Sequence, residues 1–330
     1  MFVAPFYLQP AESKCTASDA ASFLLRDFAS KPVVRQQLID ANQLQKLALT
    51  LGRYSLDGTD ISNQAPAMGT AIPPGYHLVY FTPNGTEQDL SIDGTDRTFN
   101  APAPFTRRMW AGGSMSWAEP TSDALLRVGD FVEERTRLLS ATPKRSRSAG
   151  EMVVVEVEKE FWGPKGLALT DRRSWVFRPE IDPAALKQGP KPLENVTHGP
   201  SAINDLITKS QGFPIREYRW SPLSLFRFSA LTFNSHLIHY NEDWTRNVEN
   251  HPGLVVHGPL NLINLLSYWQ DIHGNGKNPR KITYRAISPL YAGEAYRIQT
   301  SEVRDVEDGR AWDLILEKDG VVCMKAEITA

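Results

Sequence analysis

Two stretches of this chain repeat one pattern, and that echo limits the folds open to it. Trp117 leads through Leu126 to Val128-Gly129-Asp130 and on to the alternating run 131–138. Tyr284 leads through Leu290 to Ala292-Gly293-Glu294 and on to the alternating run 295–303. Each copy reads as strand, Gly-acidic turn, strand. Further strands follow in both, at 152–157 and 167–177 in the first and at 312–316 and 321–328 in the second. Side chains alternating along strands joined by short turns build an antiparallel sheet with one wet face. Two copies are too few for a solenoid. A length of 330 residues suits two α+β halves packed together better than one enlarged core.

The halves are unequal. In the second, Ser221-Pro222 opens a short helix over 223–233, and Gly258-Pro259 opens a longer one over 260–270. Leu262, Leu265, Leu266 and Trp269 fall three to four residues apart there, giving one stripe to bury against a sheet. Between Tyr80 and Met109 the first half offers only turn-rich and Pro-rich sequence. Its central helix is therefore expected to be missing, which leaves room for a ligand. Elsewhere Ser18 is expected to cap a helix to about Ala29, and 32–51 reads as a second helix ending at Gly52. Residues 57–75 read as loop, and 76–81 as a strand. The expected organisation is a helical extension over 1–44, the first half over 45–182, a linker over 183–213, and the site-bearing half over 214–330.

Charge and cysteine content exclude several classes of function. Lys plus Arg (36) nearly balance Asp plus Glu (38), so no bulk field draws the chain to nucleic acid or to a membrane. No run has the length to span a bilayer. Cys15 and Cys323 form no disulfide framework, which favours a reducing interior. The N-terminal residues have neither the basic start and apolar core of a secretion signal nor the early arginines of a mitochondrial presequence. An intracellular protein is expected, its compartment left open.

Four of the seven histidines fall within 229–260: His236, His239, His251 and His257. Gly258 opens a helix, where free N–H groups and the helix dipole favour negative charge on an oxygen. His239 nearby is the natural proton carrier at neutral pH. A proton mover beside an oxyanion binder suits chemistry at the carbon next to a carbonyl. On a helix, His236 and His239 would share a face. With His251 and His257 they invite a metal reading, but no Cys, Asp or Glu stands at ligand spacing to complete it, so no metal is expected. His273, in a Gly-Asn-Gly loop, is expected to be exposed. Gly112-Gly113 is followed by no Lys-Ser or Lys-Thr and is not a phosphate loop, and no Gly-x-Ser-x-Gly elbow occurs.

The runs Phe226–Tyr240, Pro252–Leu260, Ile282–Leu290 and Ala292-Gly-Glu294, with Arg107–Gly113 and Val128-Gly-Asp130 in the first half, resemble one family. It is the double hot-dog hydratases and dehydratases of acyl thioesters: the MaoC-like enzymes, and most closely the mitochondrial type 2 3-hydroxyacyl-thioester dehydratases and mesaconyl-CoA hydratases. The resemblance covers roughly residues 45–330. It implies an α+β double hot-dog fold, each half a sheet wrapping a helix, with the N-terminal hot dog degenerate.

The activity implied is reversible hydration of a 2-enoyl thioester, or dehydration of its 3-hydroxy partner, on CoA or a carrier protein, without metal or redox cofactor. His239 would move the proton and Gly258 N–H would hold the oxyanion. Asn234 stands where MaoC-like enzymes have an Asp five residues before the His; it would hold the water or orient the imidazole, and it cannot ionise. One titrating catalytic group is then expected, starting from an ordinary imidazole value of about 6.5. Asn241 follows the His-Tyr pair where the family often has an acid. His257, Arg108, Lys144 and Arg280 are the candidate substrate contacts. Lys144 and Arg280 belong to short basic patches that equally suit exposed turns, His257 equally suits a structural role, and a buried ion pair explains Arg107 and Arg108 as well. The resemblance also implies a mitochondrial matrix protein, with the cytoplasm as the alternative, and either a monomer or a homodimer. Two other readings compete. A hot-dog thioesterase would want a carboxylate base, which neither Asn234 nor Asn241 supplies; a non-catalytic thioester-binding protein would show no turnover.

Overall fold

The computed structural model describes residues 15–118, 123–147, 150–182 and 189–330. In chain order its main elements are α1 (Ala17–Phe28), β1 (Val33–Leu38), α2 (Ala41–Thr50), the short hairpin β2 (Ser55–Leu56) and β3 (Thr59–Asp60), and β4 (Arg107–Trp117). Then come β5 (Phe131–Ser146), β6 (Gly150–Gly163), β7 (Gly166–Arg178), β8 (Ala202–Ser210) and β9 (Phe213–Arg219). The remainder is α3 (Pro222–Leu231), α4 (Glu242–Asn247), α5 (Gly258–Trp269), β10 (Lys281–Ala286), β11 (Ala295–Val306), β12 (Gly309–Lys318) and β13 (Val321–Thr329). Among the described residues, no helix is long and apolar enough to cross a membrane.

Eleven strands form one sheet in the order β1-β5-β6-β7-β4-β10-β13-β12-β11-β9-β8, and its pairings are antiparallel. The halves join where β4 pairs with β10, Gly113 opposite Tyr284. That seam, and not a phosphate, is the business of Gly112-Gly113: a β-carbon on Gly112 would sit 2.5 Å from the carbonyl oxygen of Tyr284 on β10.

Within the second half, α5 is buried along its whole length from Leu260 to Trp269, as a helix wrapped by a sheet must be. In the first half the expected absence holds among the described residues: no α-helix lies between Tyr80 and Met109, only a single turn at Glu87–Asp89. Leu24 of α1 and the rings of Phe99 and Phe105 pack instead with Val153, Val155 and Phe177 of the first-half sheet. Lys159 and Phe161 of β6 and Arg173 and Trp175 of β7 continue the alternation set by those core residues along the same two strands. They line an open cavity.

Several local expectations give way, each for a physical reason. Thr16, not Ser18, caps α1, in a reciprocal box with Asp19 that satisfies two otherwise free helix-start donors. The expected helix over 32–51 is a strand and then a helix. Val33–Leu38 alternates in burial and pairs with β5, and Asp40 then starts α2 by accepting the Gln43 N–H at 2.6 Å. The expected strand at 76–81 is a 3-10 turn over Tyr76–Val79 entered through left-handed Gly75, its four side chains all buried, where a half-exposed strand would alternate. The expected linker contains β8, paired with β9; its residues 183–188 lie outside the described residues, as do residues 1–14 of the expected N-terminal extension. His273 is buried, not exposed. It lies on a π-helical turn, and its Nε2 is 2.8 Å from Thr300 Oγ1.

Candidate active site

The site begins where α3 ends. Phe233 adopts a left-handed φ of 48°, and the Asn234 N–H closes back onto the Ser229 carbonyl at 2.9 Å. The Asn234 side-chain oxygen then accepts the His236 N–H at 3.2 Å. A single 3-10 turn, Leu237–His239, follows. His236 and His239 therefore do not share a helical face; their rings meet edge-on, centroids 5.4 Å apart.

Strand-like backbone at Val255 meets this turn from the other side, its N–H donating to Ile238 O. His239 Nδ1 lies 2.7 Å from the Val255 carbonyl oxygen. A carbonyl only accepts, so Nδ1 carries the hydrogen and Nε2 is left with its lone pair. Val255, not Asn234, orients the ring.

Two residues on, His257 occupies the N-cap position of α5 without a side-chain capping bond, and Pro259 sits in the first turn. The Gly258 N–H, at the helix start, finds no partner among the described residues, as the first amides of a helix do not unless something caps them. Trp110 of β4 closes in on Gly258: a β-carbon there would lie 3.0 Å from Trp110 Cβ. The His257 ring is fully buried and stacks on His239 at 3.6 Å and 18°. Its Nε2 is 2.8 Å from Ser229 Oγ, which makes His257 a support beneath His239.

Burial decides the charge state of these rings. It pushes His239 down to about 4, reinforced by His251 and opposed by the bond to Val255. Burial, with neighbouring imidazoles adding to it, holds His236 and His257 well below the ordinary value. His251 also falls to about 4, through burial and Arg107. At neutral pH the cluster is a set of neutral imidazoles, and His239 presents a free base. Among the described residues, no group of three or more His, Cys, Asp or Glu side chains is placed to hold a metal ion.

His236, His239, His257, Gly258 and Asn234 all line a cavity of about 620 Å³. Arg108 lines it too, its guanidinium 5.2 Å from the Trp175 ring and bonded to Asn100 Oδ1 at 3.1 Å. Lys144 and Arg280 do not line it. Lys144 is exposed on β5, and the Arg280 guanidinium binds the Asp308 carbonyl. The cavity's other cations are Arg35, Arg107, Lys159, Arg173 and Arg178. Glu249 pairs with Arg107 at 2.6 Å and Asp171 with Arg173 at 2.6 Å, while Glu134 faces Lys159 and Arg35. Arg178 Nε is buried with no hydrogen-bond partner. Val255 and Trp110 fall inside the motif runs, yet residue type assigned no role to them or to Arg178, because their part is played by a backbone carbonyl, by packing, and by register across β4 and β7.

A neutral base and a free helix-start amide on one cavity wall suit one class of enzyme, those that move a proton beside a carbonyl. Comparison with known proteins gives the same class. Residues 75–292 match the family hydroxyacyl-thioester dehydratase type 2, and the chain belongs to that family. It is 31% identical over 236 residues to the mesaconyl-C(4)-CoA hydratase of Chloroflexus aurantiacus, covering 71% of this chain and 76% of that one. It is 26% identical over 285 residues to the mitochondrial hydroxyacyl-thioester dehydratase type 2 of Schizosaccharomyces pombe, covering 83% and 91%. Among solved structures, a MaoC-like dehydratase matches at TM-score 0.64 and 12% identity, over 92% of this chain and 98% of that one. A Mycobacterium tuberculosis protein described as a double hotdog fold matches at TM-score 0.51 and 12% identity, over 91% and 95%. These two carry the fold: the chain is a double hot dog. It is a hydro-lyase of the hydroxyacyl-thioester dehydratase kind.

Proposed function

We propose that the chain interconverts 2-enoyl and 3-hydroxyacyl thioesters of CoA or a carrier protein in this cavity, with His239 and Gly258 as its working groups. In the dehydration direction His239 Nε2 takes a proton from C2. Negative charge builds on the thioester oxygen, and the Gly258 N–H at the start of α5 stabilises it. The C3–O bond breaks, and the departing hydroxide receives the proton from His239. One imidazole thus carries one proton from carbon to oxygen and ends as it began. Asn234 shapes the turn that brings the two imidazoles to the wall. Arg108 and Arg178, which make no carboxylate ion pair among the described residues although Asp96 and Asp93 lie near Arg108, hold the anionic parts of the carrier, where Lys144 and Arg280 lie away from the cavity.

The observation that carries this reading is the 2.7 Å contact of His239 Nδ1 with Val255 O, since it fixes the tautomer a base needs. The organisation proposed with it is a degenerate first half over 45–182 and a catalytic half over 214–330. The pair is fused in one chain, which works as a monomer or a homodimer. A mitochondrial matrix location is proposed, supported by the fission yeast relative's name. The test is loss or gain of the enoyl-thioester absorbance across crotonyl, longer enoyl and mesaconyl thioesters. No change with any of them, in either direction, would refute the enzymatic reading.

A further inference from the structure

The dehydration above leaves one task unassigned: holding the water, or the departing hydroxide, against C3. Asn234 is the residue the sequence offers; its side-chain oxygen already accepts the His236 N–H at 3.2 Å, which leaves its amide N–H groups to serve as donors. We propose, resting on the hydratase reading, that His236 holds this water, and that Asp93 of the first half aims it.

Four observations carry the proposal. His236 lines the cavity beside His239, the two rings edge-on at 5.4 Å, so the groups serve adjoining points of one ligand. Asp93 Oδ2 lies 3.5 Å from His236 Nε2, both side chains largely buried. The other Asp93 oxygen is fixed by Thr95, accepting its N–H at 2.9 Å and its hydroxyl at 2.7 Å. The aspartate is thus an immobile reference and not a surface charge that happens to be near.

The backbones of the two halves are, moreover, joined at this point. Asp93 O accepts the Leu237 N–H at 2.8 Å, and the Ser235 hydroxyl donates to Gly94 O at 2.7 Å. Gly94 itself is left-handed, φ 79°, and a β-carbon there would fall 2.1 Å from Ser235 O. So close an approach of two backbones is what places the Asp93 carboxylate against the ring.

The electrostatics give the device its sense. A carboxylate beside Nε2 favours the tautomer with its hydrogen there, so Nδ1 keeps a lone pair. That lone pair accepts a hydrogen bond from the water, while His239 Nε2 faces the same molecule as base. In the hydration direction the C3–O bond forms as His239 takes one water proton, and His239 then returns that proton to C2. His236 changes neither charge nor proton count. This is a base-orienter pair of the kind in which a third group fixes an imidazole, supplied here from the opposite half. A carboxylate absent at position 234 is thereby present in space at position 93.

The test separates holding water from holding the fold. Exchange of the C2 protons of butyryl-CoA with deuterated solvent needs His239 and Gly258 but no water at C3. Asp93→Asn keeps an acceptor for Thr95 yet lets an amide donate to His236, reversing the tautomer. It should lower hydration kcat by about 100-fold, with KM within about 3-fold and α-proton exchange within about 3-fold of wild type. His236→Gln, which retains an acceptor, should keep more hydration than His236→Leu. Equal loss of hydration and exchange in Asp93→Asn would reduce the pair to a structural contact and overturn the proposal. So would full hydration in Asp93→Asn and His236→Leu. A wild type that hydrates nothing would overturn the functional reading itself, and this inference with it.

Discussion

His239 Nδ1 donates to the carbonyl of Val255 at 2.7 Å, and through that bond two loops of the second half settle which nitrogen of the ring meets the substrate. The same ring is buried, which holds it down to about 4. The neutral form is the base, so activity in hydration should be flat from neutral pH downward and fall only as His239 gains a proton. The acid limb of kcat/KM should therefore be centred near 4, well below the ordinary imidazole value of about 6.5. A stopped rate profile in overlapping buffers checks this. A midpoint near 6.5, or two resolved steps above pH 5, would contradict a single buried base.

Removing the imidazole tests the role directly. His239→Ala should lower kcat by about 100-fold or more, the usual yield of a positioned proton carrier, and should abolish α-proton exchange as well. Binding of a saturated acyl-CoA, read by calorimetry, should persist, because the cavity's cations and apolar wall are untouched. Loss of binding together with loss of turnover would point to a collapsed site.

Gly258 combines two demands that a side chain breaks. Its amide must face the ligand, and its α-carbon must accept Trp110, since an added β-carbon would stand 3.0 Å from two Trp110 side-chain atoms. In Gly258→Ala the amide remains but the helix start shifts by a few tenths of an ångström. Turnover should fall about 10- to 100-fold, with KM less affected, as expected when an oxyanion donor is misplaced. An unchanged kcat would mean that the amide is not the donor.

How far the sequence reached follows from the range of each interaction. The helix α5 was legible because Leu262, Leu265, Leu266 and Trp269 follow the helical period and Gly258-Pro259 marks the start. The strands after the two Gly-acidic turns were legible from alternation. Residues 32–51 misled because apolar residues recur through both the strand and the helix, and only Asp40, a cap at 2.6 Å from Gln43 N, divides them. Tyr76–Val79 misled because total burial and a strand's apolar run look alike in one dimension. The pairing of His236 with Asp93 left no trace, since 143 residues separate them and, although His236 stands in the histidine cluster, nothing local marks Asp93. His239 and Gly258 were found because their chemistry lies in short motifs. Their supports, Val255 and Trp110, act by backbone and by packing, which residue identity does not report.

Arg108 and Arg178 should govern recognition of the anionic carrier. Arg108→Gln and Arg178→Gln should each raise KM for CoA substrates, by about 10-fold, with kcat changed less, because phosphate contacts bind ground and transition states alike. Added salt should narrow the difference between variant and wild type. Lys144→Gln and Arg280→Gln, outside the cavity wall, should leave KM within about 2-fold of wild type. The reverse ranking would move the carrier site to the basic turns.

Acid should loosen the fold before it unfolds carboxylate pairs. His236, His239, His251, His257 and His273 are all held below the ordinary imidazole value, burial being the largest cause in each. In the unfolded chain each takes a proton near about 6.5; in the folded chain His239, His251 and His273 resist until about 4. The unfolded state therefore binds more protons between those values. Stability is complete above about 6.5 and is lost as pH falls toward 4, by up to about 1.4 kcal/mol per pH unit for each fully uncoupled group. Thermal melts at steps from pH 7.5 to 4.5 should show Tm falling through that window. His273→Gln, remote from His239, should reduce the slope while leaving hydration intact. A Tm independent of pH across the window would mean that these rings are solvated, and that the neutral cluster behind His239 does not exist.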